Sequence, residues 1–206
     1  MAIDTYATLK TALANWLKRD DLTSRIPEFV AMAEDKIGFE LRVRAMETSA
    51  DIAITSGTQT AALPTRFLQQ QRLYMSATRK DLTFLARDDF WTRQAVNESG
   101  QPTVYTIEGE NFVFAPSPDA AYTAKCLFYQ KFAALSADAD TNWILTSARG
   151  LLLYGALVQV APLIEDDGRS VTWAAFYQDI LDSAHRADKR DRFPNALQQR
   201  TTVTTA

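Results

Sequence analysis

The chain has 206 residues, 47% of them apolar, and its 25 acids against 22 bases give a formal net charge of −3. One cysteine (Cys126) and one histidine (His185) exclude an internal disulfide and a Cys- or His-rich metal site, and seven glycines leave little material for a glycine-rich phosphate cradle. The slightly acidic balance also argues against a sequence-reading nucleic-acid binder, which carries a basic face.

Residues 4 to about 46 read as helix. Tyr6, Leu9, Leu13, Trp16 and Leu17 fall on one amphipathic stripe, and Asp20-Asp21 breaks the pattern and offers a cap to the next helix. Ile26, Phe29, Val30, Ala33, Ile37 and Leu41 form the second stripe. Pro27 belongs in a first turn, so this helix is expected to start near Thr23 or Ser24 and to run to about Arg44.

From about Thr48 to Asp138 the period shortens to two. Ala50, Ile52 and Ile54 alternate with Asp51, Ala53 and Thr55 up to Ser56-Gly57. Leu73–Ala77 and Leu82–Leu85 flank Thr78-Arg79-Lys80-Asp81 as a hairpin, and Val104–Glu108 and Asn111–Ala115 flank Gly109-Glu110 as a stronger one. A short helix from Asp88 to Val96 lies between them, begun by Asp88 or Asp89. Pro116-Ser117-Pro118-Asp119 is a turn, and Tyr122–Gln130 a last strand with Ala124, Cys126 and Phe128 on one face.

Helix returns at Asn142, a good cap ahead of Trp143-Ile144-Leu145. A long apolar helix follows from about Ala148 to Leu163. The apolar stretch from Gly150 to Ile164, broken by Gln159 and Pro162, is too short and interrupted to span a bilayer and reads as a core helix. After Glu165-Asp166-Asp167-Gly168, the stripe Trp173, Phe176, Tyr177, Ile180, Leu181 and Ala184 marks the last helix. The order is that of an α+β chain. A helical bundle is expected from residues 1–47 and 139–197, with an antiparallel β-rich insertion over 48–138 and an extended tail over 198–206. No signal peptide is expected at Met1–Tyr6, which suits synthesis in a cytoplasm.

Chemistry finds little support. Asp138-x-Asp140-x-Asn142 starts like a calcium loop, but Trp143 stands where the sharp turn needs glycine and Arg149 where a bidentate glutamate belongs. A polar loop with a helix cap is the better reading. Gly150-x4-Gly155 has the spacing of a phosphate loop, but Ala156-Leu157 replace its Lys and Ser/Thr, so the glycines are read as sites of close helix packing. The pairs Asp20-Asp21, Asp88-Asp89 and Asp166-Asp167 stand before helices, as caps do. His185 lacks a nucleophile motif and Cys126 reads as a buried thiol; several aromatics, Tyr6, Trp16, Phe29, Trp173, Phe176 and Tyr177, fall on helical stripes and are read as core rather than as base-stacking platforms. No catalytic residue, cofactor or metal is expected.

Several segments in this order resemble phage head–tail adaptor (connector) proteins. They include Leu17-Lys18-Arg19-Asp20-Asp21-Leu22, Ile26-Pro27-Glu28-Phe29-Val30, Leu41-Arg42-Val43-Arg44-Ala45-Met46-Glu47 and Leu63-Pro64-Thr65-Arg66-Phe67-Leu68. Pro102-Thr103-Val104-Tyr105-Thr106, Phe114-Ala115-Pro116-Ser117-Pro118, Thr141-Asn142-Trp143-Ile144-Leu145 and Tyr154-Gly155-Ala156-Leu157 extend the series. At Thr65-Arg66 the chain departs from the small residue and acid expected after the proline. The resemblance implies a non-enzymatic virion protein at the head–tail junction. It implies a dodecameric ring, a homo-oligomer that joins the portal protein to a tail or nozzle protein. Double-stranded DNA would pass through it during genome retention and ejection without sequence-specific binding, and no membrane is involved. The tail Gln198, Gln199, Arg200, Thr201, Thr202, Val203, Thr204, Thr205 and Ala206 is β-prone but coreless, and is expected to contact the portal or a neighbouring subunit. The alternatives are a cell-wall glycan hydrolase built on a carboxylate pair, and a monomeric cytosolic binding domain.

Overall fold

A computed structural model describes residues 2–19, 21–93, 98–163 and 168–192. The fold is α+β, and the chain divides into two compact units: residues 1–45 with 132–206, and residues 46–131.

The first unit is helical. Helix α1 (Tyr6–Leu17) starts at Thr5, whose hydroxyl and that of Thr8 bond reciprocally to each other's backbone N–H groups. Its buried stripe is Tyr6, Leu9, Leu13 and Leu17. Trp16, expected on that stripe, is 42% exposed. It sits at the margin of the stripe and lays its ring edge-on against Tyr154, 5.7 Å away. Helix α2 (Ile26–Glu40) follows a 3-10 turn at Thr23–Arg25, with Pro27 in its first turn. Asp21 does not cap it. The carboxylate instead pairs with Arg19 at 2.6 Å, an ion pair only two residues apart that satisfies it before the helix begins. Nor does α2 reach Arg44. It stops at Glu40 because Arg42 folds back and donates to the carbonyls of Gly38 (2.7 Å) and Leu41 (2.6 Å), satisfying the helix end. Leu41, now extended, still inserts into the core.

Helix α4 (Trp143–Ser147) is capped by Asn142, whose Oδ1 accepts from the Leu145 N–H at 3.1 Å while its Nδ2 donates to the Ala133 carbonyl. Replacing it, Asn142→Ala, is expected to cost about 1 kcal/mol in urea unfolding, the ordinary worth of a cap. Helix α5 (Arg149–Val160) touches α1, α2, α4 and the last helix, α6 (Arg169–Arg192), and its leucines 151, 152, 153 and 157 are all buried. A helix surrounded by others can be apolar all round, which is why this stretch reads as continuous. It ends at Val160 in a 3-10 turn, Ala161–Leu163, where Pro162 cannot continue an α-helix. Helix α6 (Arg169–Arg192) buries Trp173, Tyr177 and Leu181. Phe176, expected in the core, is 46% exposed and lies 5.2 Å from the Tyr154 ring.

The second unit holds two sheets. In the first, β7 (Tyr122–Gln130) lies between β1 (Glu47–Ile54) and β3 (Phe67–Met75), both antiparallel to it. In the second, the order is β2 (Thr60–Ala62), β6 (Asn111–Ala115), β5 (Val104–Glu108) and β4 (Thr83–Phe84). The hairpin β5–β6 forms as the sequence indicates, with Gly109 at φ +58° in the first loop position, where a two-residue connection needs glycine. The expected hairpin around Thr78–Asp81 is reduced to one antiparallel bridge, Tyr74 to Asp81. Beyond it the chain leaves β3: Thr83 and Phe84 pair in parallel with β5, and Phe84 packs on Tyr105. Leu82 stays with β3, bonding to the Leu73 carbonyl and packing in the same core, while Phe84 is left half-exposed beside Tyr105. Strand β2 and the start of β3 had no legible pattern. Ala61 and Ala62 are too small to mark a face, and two register shifts in β3 break the alternation through Gln69-Gln70-Gln71.

Alternate residues of β7, Ala124, Cys126 and Phe128, face a core completed by Ile52, Ile54, Leu73, Met75, Phe112 and Phe114. Strand β6 is buried on both faces. Helix α3 (Arg87–Arg93) covers the reverse side through Phe90, which meets Val113 and Ala115.

Candidate functional site

The residues considered for chemistry are scattered into structural roles. Asp140 Oδ2 accepts from the N–H groups of Ala137 (2.7 Å) and Ser136 (2.8 Å) and from the Ser136 hydroxyl (3.0 Å). These backbone and hydroxyl bonds hold its carboxyl below the ordinary carboxylate range. With Asn142 spent as a cap and Asp138 paired to Lys10 at 2.6 Å, the calcium-like segment is a self-bonded loop. Among the described residues no group of three or more His, Cys, Asp or Glu is placed to hold a metal. Asp88 and Asp89 stand inside the first turn of α3 rather than before it, where the positive end of the helix suits them. His185 is half-buried on α6. Asp20, Asp166, Asp167 and the whole tail from Gln198 to Ala206 lie outside the described residues.

The two glycines of α5 do what their spacing suggested. A Cβ at Gly155 would stand 3.3 Å from both the Ala33 Cβ and the Tyr177 ring, and one at Gly150 would meet Ile180 Cδ1 at 2.5 Å. Helices α2 and α6 approach α5 over these bare backbone positions. On α6, Tyr177 Oη donates to Glu40 Oε2 at 2.6 Å, and burial together with that carboxylate raises the phenol's pKa. Near the end of α6, Asp188 accepts from the Arg44 N–H and from Arg192 Nε. Burial works against its charge, but the bonds from Arg192 and Arg44 outweigh it and hold the carboxyl below its ordinary value. A cavity of about 400 Å³ opens beside this knot, walled by Val43, Trp143, Ala148, Ala184 and Ala187 with Asp191 at its margin.

Among its charged surface residues the helical unit also presents large apolar side chains outward. Phe39 is 80% exposed and Met32 50% exposed; seven residues apart, they share the stripe of α2 that faces away from its buried side. Trp16 and Phe176 form a second patch around Tyr154. In the β-rich unit, Trp91 and Phe84 are half-exposed, and the Trp91 indole donates to Glu108, which also pairs with Arg87. Large apolar side chains left exposed in groups are the kind of surface that contacts with other macromolecules use. Sequence periodicity missed them because Trp16 and Phe176 fall at the margins of stripes that are otherwise buried.

The family model of the SU10 adaptor protein matches residues 4–201. The chain belongs to the SU10 adaptor protein family. No curated protein matches it. As a phage adaptor it is a structural component of the virion. No helix among the described residues is long and apolar enough to cross a membrane.

An adaptor must keep its fold, and among the described tyrosines and cysteine the largest upward pKa shifts fall on three buried groups. Burial pushes the Cys126 thiol up to about 12 from an ordinary 9.0. Burial likewise pushes Tyr105 up to about 12, against a hydrogen bond from the Gln70 amide that pulls the other way. Tyr177 is raised too. Because the folded chain binds these protons more strongly than the unfolded one, their contribution is fully present below about pH 9 and is lost as pH rises through the raised values. The urea midpoint is therefore expected to fall steadily above about pH 9, and Cys126→Ala to flatten part of that fall.

Proposed function

We propose that this adaptor is a subunit of a head-to-tail ring, dodecameric as the resemblance implies, that docks beneath the portal and forms part of the DNA channel used in genome retention and ejection. The observation that carries this reading is the pair of apolar patches on the helical unit, Met32 with Phe39 and Trp16 with Phe176. A ring closes through head-to-tail contacts between two different surfaces, so each subunit needs two such faces. Residues 1–47 with 139–197 would act as the ring-forming domain and 48–138 as a separate module. A net charge of −3 on each chain gives a ring little hold on DNA phosphate, which favours passage over retention by the walls.

The segment Gln198–Ala206 serves in this reading as an assembly arm toward the portal or a neighbouring subunit. The test is native mass measurement and negative-stain imaging of the chain with and without portal rings, together with co-sedimentation of a 198–206 deletion. Rings on the portal are expected for the full chain. The deletion is expected to lose docking while keeping its helical circular dichroism, since many weak arms act together on a ring. A chain that stays monomeric with portal present would overturn the ring, and unchanged co-sedimentation of the deletion would remove the arm.

A further inference from the structure

A sheet edge offers unpaired backbone N–H and C=O groups to any extended chain, and native proteins blunt such edges by shortness, bulges, proline or lysine. Three of the four edges here are blunted. Strands β2 and β4 have three and two residues. Strand β3 carries two register shifts against β7 and is bridged by Asp81 at Tyr74. Strand β1 is different: eight residues in continuous register with β7, without proline or lysine, and with no strand hydrogen-bonded to its outer edge among the described residues. Beside it a groove of about 300 Å³ opens between β1 and β2, lined by Ala50, Asp51, Ile52 and Ala53 on one side and by Ala61, Ala62 and Pro64 on the other, four of the seven being alanine. Small side chains let another backbone come close.

We propose that the β1 edge receives Thr201–Ala206 of a second copy of this chain as an added strand. The segment Thr201-Thr202-Val203-Thr204-Thr205-Ala206 is β-prone throughout and has no apolar pattern that would fold by itself. Eight residues separate Arg192, the end of α6, from Thr201, a reach of up to about 28 Å when extended. The charges do not oppose it: residues 193–206 carry Arg200 and no acidic side chain, while β1 carries no base and two acids, Asp51 paired with Lys125 at 3.6 Å and Glu47 bonded by the Gln71 amide. Backbone bonds along β1 give such a complex its affinity, and the shallow alanine-lined groove suits threonine and valine rather than large side chains. The inference rests on the ring reading, since an arm on one subunit and an open edge on the next make the unlike pair that a head-to-tail contact requires.

Hydrogen exchange of the full chain over a concentration series tests it, with Val203→Pro as the variant, because proline cannot donate to a ladder. Exchange of amides within 48–54 is expected to slow on the order of tenfold as concentration rises, and to stay fast in Val203→Pro while β7 amides are unchanged. Mixing Ala53→Cys chains with Val203→Cys chains under mild oxidation is expected to give a disulfide-linked pair, with buried Cys126 left out of the exchange. Protection that does not depend on concentration, with no mixed disulfide, would assign the edge to the chain's own tail and overturn the proposal. Rings that form on the portal with β1 still exchanging freely would overturn it while leaving the ring reading intact. Strand docking in chains that form only pairs would keep it and remove the ring.

Discussion

Gly155→Leu is expected to destabilise the helical unit by about 3 kcal/mol or more. The reason lies in what surrounds the missing side chain. At 3.3 Å from a Cβ at this position stand the Ala33 Cβ, which has no rotamer to change, and the Tyr177 ring, which is held by its bond to Glu40. Neither can swing aside, so α2 and α6 must both move outward from α5. Gly155→Ala is expected to cost less, about 1 kcal/mol, because alanine's better helix propensity offsets part of the overlap. Gly150→Ala is the control. The atom it would strike is Cδ1 of Ile180, the free end of a flexible side chain, so the clash is relieved by rotation and the net change is expected to be near zero. Urea unfolding followed by tryptophan fluorescence reads all three, since Trp16, Trp143 and Trp173 belong to this unit. Equal losses for the two alanine variants would show that close helix approach is not why the glycines are there.

Phe128→Ala is expected to cost about 3–5 kcal/mol in the β-rich unit. The side chain is 1% exposed on the central strand β7, and its ring stacks on Phe67 at 5.5 Å. Truncation leaves a cavity between Phe67 and the neighbouring strands that a three-stranded sheet bonded on both sides cannot collapse to fill. Phe128→Leu keeps most of the volume and is expected to lose about 1 kcal/mol. Leu127, one residue earlier, points to the other face and is half-buried, so Leu127→Ala is expected to lose less than half of the Phe128→Ala value. Exchange of the β7 amides and far-ultraviolet circular dichroism against urea measure the three. A larger loss at Leu127 would reverse the assignment of faces on this strand.

The elements that were legible are those in which one local rule was enough. Asn142 caps α4 because its side chain reaches its own third following N–H, and Gly109 turns β5 into β6 because two residues must close the loop. The alternation of β7 survives because both of its neighbours are antiparallel and its buried face is uniform. Where a competing side-chain bond or a distant strand decides, the local pattern was not enough. Arg42 ends α2 early by bonding the carbonyl of Gly38, and Asp21 gives up capping for Arg19. Thr83-Phe84 leaves β3 for β5, which depends on a strand twenty residues later. Of the candidate surfaces, the coreless tail was visible in composition, whereas the exposure of Trp16 and Phe176 was not. Periodicity locates the buried side of a helix but not how far a neighbouring helix extends over its margins.

The amino-acid sequence alone determined the α+β order of elements, the two close-packing glycines of α5, the buried faces of β1 and β7, and the lack of any motif for metal or nucleophilic chemistry. These follow from the spacing of residues along one segment, where backbone geometry sets the period. Only the tertiary structure decided which strands are edges, which aromatics remain outside, and that β1 keeps a long unblunted edge beside an alanine-lined groove. Those properties belong to pairs of segments far apart in the chain. A strand's pattern records which of its faces is apolar, but its edges are backbone, the same for every sequence until a neighbour takes its place.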